Sequence, residues 1–374
     1  MSSPEDNASW SFPCTVAGVT FTNECNQHCA HCHNNSRRSP ATDELLLNQW
    51  VDVAMRLASI GVEFVSFGGG ESFVRPDFLE FVAALRSIGM RTGVITNGFC
   101  LDLGGVDWQL FETVSVSVDY ADPDLNDKWR HCSGAFDEAL RTIRHLVSIG
   151  VEVEVFTTLP RDTVVGDNLA RIRRILVEEG VSYWKLNRYR AIGRGPASGS
   201  WGLSPQEFFN VVQWVSQGSN GLVITDPLIA ALCPKLPAIH ACSCGSSSIR
   251  VGANGDLSPC TFLGNMVLGN ALCDDLPAIW KSHPLLHEIR SRSPVGKCKG
   301  CVVWDTCRGG CYASAYLEHS VFGAPDPQCW HNPETQASAS ARQLPVEGGT
   351  TMRSYSCNLY VDLHPQPRVP IDGR

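Results

Sequence analysis

Short apolar runs alternate with amphipathic stretches through the first half of the chain. Residues 16–21 (VAGVTF), 62–67 (VEFVSF), 91–95, 113–118 (TVSVSV), 151–157 and 183–187 have the length and composition of strands in a sheet buried on both faces. Between them, residues 45–60, 78–88, 136–149 and 169–179 carry helical periodicity. In the first of these Leu46, Trp50, Val53, Leu57 and Ile60 share one face, and Thr42, Asp43 and Glu44 offer a helix start. Strands alternating with helices predict parallel β-α units joined by right-handed crossovers. The fold class expected is α/β, a partial (β/α)6 TIM-like barrel, followed by a small cysteine-rich domain. In such sheets ligands bind at the C-terminal ends of the strands.

The chemistry-bearing residues fall at those ends. Cys25, Cys29 and Cys32 follow the first run in a C-x3-C-x2-C array. Three thiolates on one tight loop can hold three irons of a [4Fe–4S] cube and leave the fourth iron open. His28, His31 and His33 keep a zinc loop in play at this point. Gly68, Gly69, Gly70 and Glu71 follow the second run, giving side-chain-free backbone beside a carboxylate. Thr96 and Asn97 end the third, Ser117 and Asp119 the fourth, and Arg188, Arg190 and Arg194 follow the sixth as a candidate site for a substrate carboxylate or phosphate.

The second half opens on a helix start at 204–207 leading into 208–215, with a turn at 218–221. Cysteines then crowd the chain: Cys244 and Cys260, then Cys298, Cys301, Cys307 and Cys311 spaced C-x2-C-x5-C-x3-C, then Cys329. The chain has 17 cysteines in 374 residues, which in clustered spacings points to metal or iron–sulfur sites. A pair of zinc ribbons is the plainer alternative. The net charge of −8 argues against nucleic acid as a partner. The N-terminus lacks the features of a signal peptide, and no apolar run approaches the ~20 residues of a membrane span. A cytoplasmic protein is expected, with residues 1–15 a loose lead-in and the Ser-, Pro- and Gly-rich stretch 336–374 a poorly ordered tail.

The Cys25–Cys29–Cys32 spacing resembles the radical SAM superfamily, and Gly69-Gly70-Glu71 resembles its glycine-glycine-glutamate-proline loop, with Ser72 in the proline's place. The seven later cysteines resemble the SPASM extension of that superfamily, in the branch with pyrroloquinoline quinone and mycofactocin maturases and heme-modifying members. The resemblance covers 16–205 for the core and 242–335 for the SPASM domain, with 206–241 as a bridge. It implies three [4Fe–4S] clusters and S-adenosylmethionine (SAM), cleaved reductively to a 5′-deoxyadenosyl radical that abstracts a substrate hydrogen. Cys25, Cys29 and Cys32 would hold the SAM-binding cluster, with Gly69, Gly70, Glu71, Asn97, Ser117 and Arg130 around SAM and Arg130 on its carboxylate. Cys244, Cys260 and Cys311 would hold an inner auxiliary cluster, its fourth ligand Cys242 or Cys233. Cys298, Cys301, Cys307 and Cys329 would hold an outer one.

The resemblance also implies an oxidoreductase-type enzyme served by an external electron donor such as a flavodoxin or ferredoxin. A ribosomal peptide is the first expectation for its substrate. A small natural product (an aminocyclitol, sugar nucleoside or tetrapyrrole) is the rival, favoured by there being only 24 residues before Cys25, too few for an appended peptide-binding domain. A non-catalytic iron–sulfur electron carrier is the third reading. Cys273 or Cys233 is a candidate hydrogen-atom donor to a substrate radical.

Overall fold

A computed structural model describes residues 12–99, 101–195, 200–218, 222–224, 226, 228, 242–331 and 359–363. Six strands, β1 (Val16–Thr20), β2 (Phe64–Gly68), β3 (Arg91–Thr96), β4 (Thr113–Ser117), β5 (Val153–Leu159) and β6 (Tyr183–Arg188), run parallel in that order. Helices α1 (Leu47–Ser59), α2 (Phe78–Ser87), α3 (Pro123–Arg130), α4 (Ala135–Ser148) and α5 (Asn168–Glu178) fall between them in the chain. This is the partial (β/α)6 barrel expected from the alternation. Helix α6 (Pro205–Gly218) follows β6, started by a capping box in which Ser204 N donates to Glu207 (2.7 Å) and Glu207 N to Ser204 Oγ (3.2 Å).

Six strands do not close a barrel, and both free edges are covered by later parts of the chain. On one side β8 (Ser248–Val251) pairs parallel with β1, setting Arg250 opposite Gly18, and β9 (Asp256–Ser258) and β10 (Gly269–Asn270) continue antiparallel. On the other, β11 (Leu359–Asp362) pairs antiparallel with β6 and with β7 (Leu222–Ile224). The stretch 336–374 is therefore not simply a loose tail. It supplies a strand to the sheet, and Leu363 beyond it is buried. The lead-in also takes part: Cys14 is fully buried, and Phe12 O accepts from Trp280 Nε1 (2.7 Å).

The core nearest the cysteine loop is aromatic. Phe21, Trp50, Phe67, Phe78 and Phe81 are all essentially without solvent contact, and Phe21 stacks on Phe81 with ring centroids 5.2 Å apart. Phe21 is the last residue before the loop, so this cluster fixes where the loop starts. Helix α1 buries Trp50, Val53, Ala54 and Leu57 as its period requires. Leu46, expected on that face, is instead the exposed residue ahead of the helix. Glu44 does not start the helix. Its carboxylate accepts from Thr22 Oγ1 and Asn23 N (both 2.8 Å), holding the exit of β1.

The C-terminal domain carries α7 (Leu276–Ser282), α8 (Pro284–Ser291), α9 (Trp304–Cys307) and α10 (Tyr312–His319). It is locked to the barrel by buried charge. Arg188, at the end of β6, pairs with Asp226 (2.8 Å) and Asp326 (2.9 Å) and donates to Gln328 Oε1 (2.8 Å). Burying a guanidinium is costly unless it is fully paired, and this one is.

Candidate active site

The cysteine loop is held from several sides. Cys25 N donates to Arg37 O (2.7 Å), Asn35 N to Cys32 O (3.2 Å) and Ala30 N to Trp129 O (2.9 Å). Arg194 donates to Cys29 O (2.9 Å) and to Ser36 O, and its own N–H to Cys32 O (3.0 Å). Gly193, at φ +66°, lies so close that a Cβ there would sit 2.2 Å from Cys32 O. The arginines expected to hold a substrate anion are thus otherwise engaged. Arg188 locks the domains together, Arg194 clamps the cysteine loop, and Arg190 reaches the Cys311 sulfur.

The three histidines of the loop pack against its surroundings, with His31 Nδ1 and His33 Nε2 buried and without a hydrogen-bond partner. His31 stacks on Trp129 (4.9 Å, 8° between planes) and faces Asp119 at 3.7 Å. His33 packs edge-on to Phe262, and His28 lies beside His131. Each is engaged with an aromatic or carboxylate neighbour. Burial pushes the Cys25 thiol up to about 12, helped by the Glu71 charge, and the Cys29 thiol up to about 11. Thiols this reluctant to ionise become thiolates when a polyvalent metal centre supplies the positive charge. The three-sulfur donor set fits a [4Fe–4S] cube.

The β2 exit is seated against the β1 exit. A Cβ on Gly69, at φ +95°, would lie 2.4 Å from Thr20 Cγ2, and one on Gly70 would lie 2.0 Å from Glu24 O. Gly70 N and Glu71 N donate to Thr22 O (3.0 Å) and Glu24 O (2.9 Å). Glu71 is buried, and its carboxylate accepts from Thr96 Oγ1 (3.0 Å), Asn97 N (2.8 Å) and Phe73 N (3.4 Å). Burial pushes that carboxyl up to about 7, against the pull of those donors. Asn97 Nδ2 donates to Asn26 Oδ1 (2.7 Å) and lies 3.7 Å from Cys25 Sγ. Glu71 therefore ties the ends of β2 and β3 to the cysteine loop. Arg130 is paired to Asp119 at 2.6 Å and lines the cavity, its buried Nε without a partner. Asp127 receives Phe136 N (2.9 Å), fixing the start of α4.

These pieces surround one cavity of about 320 Å³. Cys25, Cys29 and Cys32 line it together with Gly68–Gly70, Glu71, Asn97, Ser117 and Arg130. Cys242, Cys244, Cys260 and Cys311 line the same cavity. The Cys244 thiol is raised by hydrogen bonds with Cys242 and Cys260 and by burial. Of the two candidates for the fourth inner position, Cys242 is the one placed with this set, and Cys233 lies outside the described residues. Cys298, Cys301, Cys307 and Cys329 line a second, small cavity of about 20 Å³ with Asp326. Cys273 is exposed and is not among the residues lining the central cavity.

Sequence reading missed part of the cavity wall. Lys185, on β6, pairs with Glu154 of β5 and donates to Ser115 Oγ of β4 (3.0 Å). Arg250 enters from β8, its Nη2 on Thr20 Oγ1 (3.2 Å) and its buried Nε without a partner. Gln27, between two cysteines, presents an unpartnered Nε2. The period-2 alternation of β5 and β6 was the available signal for Lys185 and Glu154. Arg250 gave none, because β8 lies so far along the chain from β1.

A model of the radical SAM superfamily matches residues 19–171, and one of the SPASM iron–sulfur cluster-binding domain matches 242–302. The chain is 30% identical over 345 residues to mycofactocin maturase MftC of Mycobacterium tuberculosis, covering 87% of this chain and 85% of that protein. This chain belongs to the radical SAM superfamily, in its SPASM branch. Its cofactors are accordingly [4Fe–4S] clusters and SAM. The radical SAM enzyme is also 24% identical to the AdoMet-dependent heme synthase of Oleidesulfovibrio alaskensis, covering 88% of this chain and 90% of that one. Its fold matches Streptococcus suis SuiB, solved with S-adenosylmethionine, at a TM-score of 0.66 and 18% identity over 86% of this chain and 78% of that one. It matches anSMEcpe with bound AdoMet at 0.65 and 15% identity, over 84% of this chain and 94% of that one. Among the described residues, no helix is long and apolar enough to cross a membrane.

Proposed function

We propose that this radical SAM enzyme carries three [4Fe–4S] clusters and oxidatively modifies a ribosomal peptide during natural-product maturation. The observation that carries the reading is that Cys25, Cys29 and Cys32 share one cavity with Cys242, Cys244, Cys260 and Cys311, at the C-terminal ends of parallel strands. Cys25, Cys29 and Cys32 would hold the open-iron cluster, which would supply the electron for reductive cleavage of SAM. Gly68 leaves room for SAM against the backbone, Gly69 and Gly70 let the β2 exit seat on the β1 exit, and Glu71 and Asn97 hold the loops that shape the site. Ser117 and Arg130 stand at the mouth of β4, where substrate and SAM meet. Phe64, Phe156 and Phe262 give the wall an apolar stretch. The inner cysteine set faces the substrate, and the outer set lies behind it at Asp326.

Peptide is preferred as the substrate class because a maturase is the relative at 30% identity, whereas the heme-forming relative stands at 24%. An electron carrier would have no use for a cavity lined by a glycine loop. The reading includes an external flavodoxin or ferredoxin as reductant and a cytoplasmic setting. The test is anaerobic reconstitution followed by SAM turnover with deuterated candidate precursor peptides. Deuterium in 5′-deoxyadenosine with a matching mass loss in the peptide supports the reading. Deuterium arriving only from a porphyrin or sugar substrate sinks the peptide assignment.

A further inference from the structure

Two residues beyond β6, Arg190 leaves the barrel and enters the cysteine-rich domain. It is almost fully buried. Its Nη2 donates to Cys311 Sγ (3.3 Å), its Nε to Ser314 Oγ (3.1 Å) on α10, and its Nη1 to Asn187 Oδ1 (3.2 Å) and Arg188 O (3.1 Å). The guanidinium lies over the Phe262 ring at 4.3 Å, and Phe262 N donates to Cys260 Sγ (3.4 Å). Two sulfurs of the inner set are therefore addressed by one aromatic–guanidinium stack, and the donor to Cys311 carries a full positive charge.

The outer set is built differently. Among the described residues, none of the Cys298, Cys301, Cys307 and Cys329 sulfurs accepts from a charged side chain. Lys297 donates to the Cys329 carbonyl oxygen (2.7 Å), not to its sulfur. Asp326, a carboxylate held by Arg188, lines that pocket with His331 and also accepts from Cys311 N (3.0 Å), and the Lys297 charge lies near Cys298 and Cys329 without a bond to either sulfur. Hydrogen bonds and positive charge at ligating sulfurs favour the reduced, more negative form of a cluster and raise its potential.

We propose that Arg190 is a positioning residue that sets the potential of the inner auxiliary cluster, holding it above that of the outer one through its charged hydrogen bond to Cys311. The proposal rests on the assignment of that cluster to Cys242, Cys244, Cys260 and Cys311. Its geometry supplies the reason for burying an arginine here. A neutral side chain of similar length would fill the space over Phe262 but leave the Cys311 sulfur without its donor.

The test is an EPR-monitored redox titration of the reconstituted full chain. A Cys298→Ala/Cys301→Ala background removes the outer signal, and added SAM marks the signal of the first cluster. Arg190→Met removes charge and donors, Arg190→Gln keeps a neutral donor, and Arg190→Lys keeps the charge without the fork. Ser314→Ala removes a partner of Arg190 but leaves its bond to sulfur. With iron content unchanged, Arg190→Met lowers the ratio of reduced to oxidised inner cluster at a fixed poise about tenfold, about 59 mV for one electron. The glutamine and lysine variants fall between, Ser314→Ala does not move, and neither does the SAM-binding cluster. A domain staple without influence on the cluster would change the melting temperature alone. An unmoved inner potential in an iron-replete Arg190→Met protein overturns the proposal, as does an equal shift of every cluster. If Arg190→Met loses the inner iron, Arg190→Lys decides: a lowered potential supports the proposal and an unchanged one refutes it. Failure of the underlying assignment shows separately, as a Cys244→Ala/Cys260→Ala protein that keeps its full iron.

Discussion

Gly70 is the position at which the smallest change should do most harm. A methyl group there would sit 2.0 Å from Glu24 O and 2.8 Å from Thr22 O. Both obstacles are backbone, so no side chain can swing aside. The β2 exit must retreat from the β1 exit, stretching the bonds from Gly70 N and Glu71 N. Two such bonds are worth roughly 1–3 kcal/mol together, and forcing a methyl into a packed site adds about 1–3 kcal/mol. Gly70→Ala should therefore cost on the order of 2–6 kcal/mol and lower the melting temperature by roughly 5 °C or more. It should also shift the Glu24–Cys25 segment and reduce iron bound at the first loop. Gly68→Ala is the control, because a Cβ there meets nothing within 4 Å and Gly68 lines the cavity. It should melt like the parent but bind SAM more weakly, since the new methyl takes ligand space. Calorimetry, iron analysis and equilibrium SAM binding on the two variants give the comparison. A Gly70→Ala protein with parental stability and SAM affinity would refute the reasoning about the two exits.

Three other outcomes follow from the same geometry. The parent chain should take up about twelve irons, counted as four per cube, and Cys25→Ala/Cys29→Ala/Cys32→Ala or Cys298→Ala/Cys301→Ala should each remove about four, with circular dichroism confirming the fold; zinc in place of iron would contradict the assignment. Glu71→Gln turns an amide N–H₂ toward hydrogen-bond donors, at about 1–3 kcal/mol, so SAM binding measured by titration should weaken about tenfold or more with the iron count intact. Asp326→Ala leaves Arg188 half-paired in the interior, so chemical denaturation should show a loss of about 3–5 kcal/mol; a loss below 1 kcal/mol would mean the pairing is not what joins the two domains.

The barrel and its ligand-bearing ends were legible because each strand is a short run followed at once by residues with few structural alternatives. Three cysteines in eight residues, or three successive glycines, have little to do in a plain turn. The later cysteines were legible through the resemblance their spacing carries, which left Cys242 and Cys233 as two candidates for the inner set. The arginines after β6 read as a basic loop because a sequence does not show which carboxylate a charge meets. Arg188 finds Asp226 and Asp326 far along the chain, and Arg194 finds carbonyls of the cysteine loop. Glu44 looked like a helix start for the same reason, since its partners Thr22 and Asn23 are a fold-level contact. β11 was hidden by its setting: four residues in a Ser- and Pro-rich stretch become a strand only beside the edge of β6.

The way the sheet's two margins are covered has a consequence for how the protein is made. β1's outer neighbour β8 follows it by more than two hundred residues, and β11, which covers β6's far side, comes later still. For most of synthesis the growing chain carries two bare rows of backbone donors and acceptors, a template for mispairing with other nascent chains. Native pairing at both margins waits for the cysteine-rich half, whose own folding is coupled to iron. Shortage of iron–sulfur assembly during expression should thus appear first as insoluble protein, and only secondarily as soluble enzyme lacking clusters. A fragment ending after β6 should aggregate even though it contains the Cys25 loop and the glycine loop.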